Sequence, residues 1–251
     1  MSFVRESMIV FRRQVRMNLR NPAWVFIGAM QPVLYLVLFG PLLKPLVDQF
    51  GADNAYTFLV PGLLVQLGMF GAFFAGFGLI GEWREGVIEA ERVTPANRTA
   101  LLVGRLARDI AQLFVQAMIL VALGWAMGMR ASAAGVVAGI ALTLLVGGAC
   151  AAASNALALT TKSEDVMAPV INMVMMPVLL LSGIMLPMTL GPNWLESLSD
   201  FMPFRWIVDA VRDTFVGDLG TSELMWGTTW ALALFALAVW WGTAVFRKEN
   251  A

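Results

Sequence analysis

The chain contains no histidine, and its single cysteine, Cys150, sits inside an apolar run. Zinc centres draw on clusters of cysteine, histidine and carboxylate, and Ser-His-Asp or Cys-His nucleophile systems need an imidazole base. Neither chemistry has its parts here. One thiol closes no disulfide within the chain, so cysteine usage says nothing about redox compartment. Lysine is almost as scarce: Lys44, Lys162 and Lys248 are the only three, and none completes the phosphate-binding pattern G-x-x-x-x-G-K-[ST]. The chain lacks that means of holding ATP. Charged residues make up 14% of the sequence, against about 25% in ordinary soluble proteins. The 17 basic and 17 acidic side chains cancel, leaving no overall field to attract nucleic acid.

What is abundant is apolar surface: 59% of the 251 residues are hydrophobic, and the mean hydropathy is +0.75. So few charges do not cover so much apolar surface in water, and a bilayer is the natural solvent. A membrane span needs about 20 mostly apolar residues. Six segments qualify, at about 23–43, 57–80, 101–128, 134–160, 166–187 and 223–246. The run that follows the basic first twenty residues is as long as a full span, whereas signal-peptide cores are about 7–15 residues. It reads as a retained helix. No linker is long enough to separate a second domain, so 1–251 is expected to form one transmembrane domain.

Basic residues orient the spans. Arg5, Arg12, Arg13, Arg16, Arg20, Arg84, Arg92, Arg98, Arg105, Arg108, Lys162, Arg247 and Lys248 fall on one side. Lys44, Arg130, Arg205 and Arg212 fall on the other. The asymmetry predicts that both termini are cytoplasmic. Before the first span, Val4, Met8, Phe11, Val15 and Leu19 form one helical stripe, with Arg12, Arg13 and Arg16 on other faces. Residues 1–20 are therefore expected as an amphipathic helix lying in the membrane interface, a passive anchor or a lever beside a partner. Asn21-Pro22 stops it.

Between the second and third spans, Glu82 to Val93 is the most charged stretch of the chain and is long enough for a short cytoplasmic helix. Thr94-Pro95 behind it has the form of a helix start. Between the fifth and sixth spans, 188–222 alternates acids with aromatics such as Trp194, Phe201, Trp206 and Phe215. That pattern predicts short helices dipping into the outer interface. Asp109, four residues after Arg105, is the one acid expected inside a span, as half of an interfacial ion pair with Arg105 or as a proton relay. Gly135-x-x-x-Gly139 points to close packing of the fourth span. Phe70, Phe74 and Phe77 share a face of the second span, and Asn172, Met173 and Met176 occupy the fifth. Each set either packs or lines a path for a greasy solute.

Four stretches together resemble the membrane subunits of ABC-2 type exporters, especially the daunorubicin-resistance efflux permeases. They are Arg20-Asn21-Pro22; Tyr56 to Leu64; Glu82 to Glu89 with Val93-Thr94-Pro95 and Leu101 to Arg105; and Met202-Pro203-Phe204 with Val208 to Arg212. The resemblance implies an all-α permease of six transmembrane helices, with an interfacial helix at 1–20, five spans within 23–187, an external re-entrant segment at 188–222 and a last span at 223–246. It also implies a multi-pass protein of the bacterial inner membrane that is not itself an enzyme. It would work as a pair of permeases, expected as a homodimer, above two copies of an ATPase that holds ATP and Mg. The ATPase-coupling residues would be Glu82, Arg84, Glu85, Glu89, Glu91 and Arg92, with Lys162 and Glu164 as a second contact. Arg12, Arg13 and Arg16 would sit on a gate helix. A hydrophobic or amphipathic compound or a lipid is the expected cargo, with polysaccharide or glycolipid the alternative. An intramembrane enzyme is the rival from another class; it would need catalytic carboxylates or a base at depth, and none is visible.

Overall fold

A computed structural model describes residues 3–20, 23–45, 54–92 and 98–249. Among the described residues the chain is helical, without strands. The elements are α1 (Phe3–Arg20), α2 (Ala23–Leu43), α3 (Ala55–Phe73), α4 (Ala75–Arg84), α5 (Val87–Arg92), α6 (Arg98–Ala126), α7 (Ala133–Thr161), α8 (Glu164–Leu181), α9 (Asn193–Asp200), α10 (Pro203–Val216) and α11 (Ser222–Glu249). Six stretches are long and apolar enough to cross a membrane: α2, α3 with α4, α6, α7, α8 and α11. The all-α, six-span architecture is thus the observed one. The fifth span ends earlier than expected, at Leu181 rather than 187, because the chain turns at Gly183 with φ +70°. The stop proposed at Asn21-Pro22 and the helix start proposed at Thr94-Pro95 lie outside the described residues.

The core is built around α7, which packs against α11, α3, α4, α10 and α6. Leu59, Leu63, Leu64 and Leu67 of α3, Val146 of α7 and Ile207 and Val211 of α10 are fully buried. By contrast α2, α8 and α11 turn most of their apolar side chains outward, among them Phe26, Met173 and Leu237. Such surface suits lipid or a neighbouring helix rather than water.

Local chemistry places the ends. Asn54 caps α3 by accepting from the Tyr56 amide at 2.8 Å, and its Nδ2 donates to the Gly128 carbonyl. The Thr57 hydroxyl exchanges hydrogen bonds with the Arg130 backbone. Together these tie the start of α3 to the α6–α7 turn at one end of the bundle. At the same end, α10 lies against α7 where glycine is required. A Cβ at Gly135 would stand 1.9 Å from the Thr214 carbonyl oxygen, closer than any side chain allows. The Gly135-x-x-x-Gly139 pair therefore seats α10 on the fourth span.

The second span is broken at Phe74. The Phe77 amide turns back to the Phe74 carbonyl, which leaves the Phe73 carbonyl without its helical donor. Ser154 of α7 fills the gap: its hydroxyl donates to the Phe73 carbonyl at 2.5 Å and accepts from the Gly76 amide at 3.1 Å. A side chain inserted into the helical ladder is a recognised cause of a kink. In Ser154→Ala, two buried backbone groups lose their partner, at a cost of about 1–3 kcal/mol. A lower thermal midpoint in detergent is expected for this variant, with Ser154→Thr retaining more of it. An S154A protein that melts with the parent would show that the break has another cause.

Candidate functional site

The break opens a cavity of about 600 Å³ between α3, α4, α6, α7 and the start of α8. That volume falls within the range of small-molecule sites, about 300–1,000 Å³. Phe74, projecting from the break and 64% exposed, makes one wall with Phe77, their ring centroids 5.8 Å apart. Arg108, Asp109, Gln112 and Gln116 of α6 line the cavity on another side, and Glu164 stands at its rim. Gln116 donates to the Val25 carbonyl of α2 at 3.0 Å, which tethers the first span to this wall. The cavity thus pairs an aromatic face with a polar one.

Next to it lies a cluster of charged and polar side chains drawn from three elements. Glu82, at the end of α4, accepts two hydrogen bonds from Arg105 of α6, at 2.7 and 3.1 Å. It also accepts one from Gln14 of α1 at 2.7 Å. Arg108 donates to Asp109 and to the Gln14 amide oxygen. The expected pairing of Arg105 with Asp109 is therefore corrected: Arg105 takes Glu82, and Asp109 takes its neighbour Arg108. Glu82 reaches Arg105 from the adjoining span with two N–H groups on one oxygen, and such charge-assisted bonds are the strong ones. Each charge in the cluster has an opposite partner, as burial requires.

The two stretches expected to meet an ATPase come together. Arg84, the last residue of α4, forms an ion pair with Glu164 at 2.9 Å. The first of these stretches is not one helix from Glu82 to Arg92. It breaks at Glu85-Gly86, where Gly86 has φ +75°, the left-handed form that ends helices. Glu85 and Glu89 are exposed, whereas Glu82 turns inward. The side chains of Glu91 and Arg92 lie outside the described residues. Lys162 closes α7 with φ 52°. On α1, Arg12, Arg13 and Arg16 are exposed while Gln14 is buried against α6.

The candidate path residues separate into two sets. Phe74 and Phe77 line the cavity, and Phe70 packs half-buried on the core. Asn172, Met173 and Met176 lie on the exposed face of α8, with Asn172 donating to the Ala168 carbonyl. They are not among the residues lining that cavity. At the opposite end of the bundle, Arg212 donates to the Gly183 and Ile184 carbonyls, stacks 4.3 Å over Phe58 and pairs with Asp209. Burial pushes the Asp209 carboxyl above its usual range, and Arg212 and Arg205 pull against that shift. Reading residues alone missed Gln14, Gln116 and Ser154. Gln116 had a signal in its spacing, since it continues the face of Arg105, Asp109 and Gln112 along α6.

The family model for ABC-2 type transporters matches residues 5–216. Among relatives, a "putative transport permease ycf38" of Cyanophora paradoxa is 26% identical over 215 residues, covering 84% of this chain and 74% of that protein. Its namesake in Porphyra purpurea is 26% identical over 199 residues, covering 77% and 68%. A "probable multidrug ABC transporter permease YbhR" of Escherichia coli K12 is 24% identical over 196 residues, covering 76% of this chain and 52% of that protein. With six membrane-crossing helices and a family match running from α1 through α10, this chain belongs to the ABC-2 type transporter family and is a multi-pass membrane subunit of an ABC transporter.

Proposed function

We propose that this chain is one of two identical permeases that, above two copies of an ATPase, export a hydrophobic or amphipathic compound or a lipid from the cytoplasm or inner leaflet. ATP and Mg belong to the ATPase. The observation that carries this reading is the cavity of about 600 Å³, with Phe74 and Phe77 on one side and the α6 polar residues on another. A molecule with a greasy body and a polar end matches both walls at once. The E. coli relative's name, a probable multidrug permease, supports the same cargo class. Phe74→Ala is expected to change which compounds in a panel of lipophilic dyes and fluorescent phospholipids stimulate ATP hydrolysis, with basal hydrolysis and assembly intact. An unchanged compound profile in a well-assembled variant removes the cavity from the path.

The membrane is proposed to be the bacterial inner membrane, with both termini and α1 in the cytoplasm and α1 along its inner surface. The thirteen-to-four division of basic residues supports this orientation. Single cysteines at Asp213 and Glu85 in a Cys150→Ala background separate the two faces. An impermeant thiol reagent applied to intact cells is expected to label position 213 and spare position 85. The reverse pattern would invert the topology.

Coupling to the ATPase falls to the exposed part of the charged stretch, Glu85 and Glu89, beside the exposed Arg84–Glu164 ion pair. Reversing Glu85 and Glu89 to Lys sets like charges where opposite ones met, which costs more than deletion. The double variant is expected either to lose its ATPase on purification or to hydrolyse ATP without transport. A variant that docks and transports at the parental rate would leave this stretch a connector.

A further inference from the structure

Gln14 is 3% exposed, although it sits on a helix whose neighbouring Arg12 and Arg13 are exposed. Its helix is held hard against α6: a Cβ at Gly104 would meet the Ser7 carbonyl oxygen at 2.9 Å and the Val10 side chain at 2.8 Å. A buried amide must satisfy both a donor and an acceptor, and Gln14 does so in two directions. Its Nε2 donates to Glu82 at 2.7 Å, and its Oε1 accepts from Arg108 at 3.4 Å. Glu82 lies two residues before Arg84, which grips Glu164. Arg108, with its partner Asp109, lines the cavity. One side chain on α1 therefore touches the root of the charged stretch with one end and the cavity wall with the other.

We infer that Gln14 is a positioning residue that carries movement of the charged stretch to the cavity wall, through its paired bonds to Glu82 and Arg108. The inference rests on the ATPase-driven reading above but needs no particular cargo. An amide suits the task because it bridges a carboxylate and a guanidinium without adding charge. The cluster of Glu82, Arg105, Arg108 and Asp109 is neutral as it stands. A shift of α1 or α4 alters both Gln14 bonds together, since they share one amide plane.

A reporter in the cavity tests this without a transported ligand. Gly78 lines the cavity, and a Cβ there meets nothing within 4 Å. In a C150A/G78C background purified with its ATPase into liposomes, the thiol is alkylated by N-ethylmaleimide with and without ATP plus vanadate. Nucleotide trapping is expected to change the parental rate by about fivefold or more, as for an ordinary coupling between sites. In Q14L that ratio is expected to fall towards one while the ATPase remains bound and hydrolysing. Q14E sets two carboxylates in contact and should lose the ratio as well. Q14M keeps the length and burial of the side chain without either hydrogen bond, and so separates loss of the bonds from loss of packing. If Q14L does not fold, Q14M decides. A Q14L, Q14M or Q14E protein with the parental ratio, or a parent indifferent to nucleotide, would overturn the inference. A parent that recruits no ATPase would instead strike the exporter reading beneath it.

Discussion

One hydroxyl organises the centre of this protein. Lipid offers backbone groups no hydrogen bonds, so a helix interrupted within a membrane needs partners from its neighbours. Ser154 supplies both, giving to Phe73 and taking from Gly76 across the gap between α3 and α4. The second span thereby changes course in mid-passage without stranding a donor or an acceptor. Gly76 has to be glycine for the approach, since a Cβ would stand 2.6 Å from Ser154 atoms and 2.4 Å from Met167. Phe74 projects from the break, and the cavity lies beside it between α4 and α6. The shape of the site thus descends from a main-chain requirement met by one side chain on another helix.

The charged groups follow the same economy. Side chains that would be costly in isolation are gathered into pairs, Glu82 with Arg105 and Asp109 with Arg108, and a neutral amide joins the pairs. Removing one partner of such a pair leaves an uncompensated charge, which is far more damaging than removing both. Specific pairing also fixes register, because α1, α4 and α6 satisfy these groups only in one relative position. At the other end, Arg212 does comparable work for α10, holding the turn after α8 and the ring of Phe58.

The six spans, the polar connections and the pairing of the fourth span's glycines with a close neighbour were legible in hydropathy and spacing. These are properties of single segments, and lipid enforces them strongly. The break at Phe74 was not legible, since residues 55–84 read as one apolar run. Its cause is a serine some eighty positions away. Ion-pair identity escaped for a related reason. Arg105 and Asp109 have helical spacing that invites pairing, yet Glu82 arrives from the adjoining span in better geometry. Of the aromatic residues that share a face by spacing, Phe74 and Phe77 line the cavity, whereas Phe70, before the break, packs on the core. The α8 set, Asn172, Met173 and Met176, turned out to face the periphery. Periodicity marks which residues share a face, but not which neighbour the face meets.

The seat of α10 on α7 has a consequence for how the chain is made. Gly135 and Gly139 leave a groove shaped for the Thr214 carbonyl and the Phe215 ring, both of which follow the fifth span in the chain. The fourth span therefore enters the bilayer with its tightest contact vacant and keeps it so while two further segments are synthesised. Insertion and final packing are separate events for this helix, and the second waits for residues beyond the fifth span to emerge. A ribosome that stalls after α8 would release a subunit with all its early spans in place and a missing keystone, which a membrane protease could recognise by that open groove.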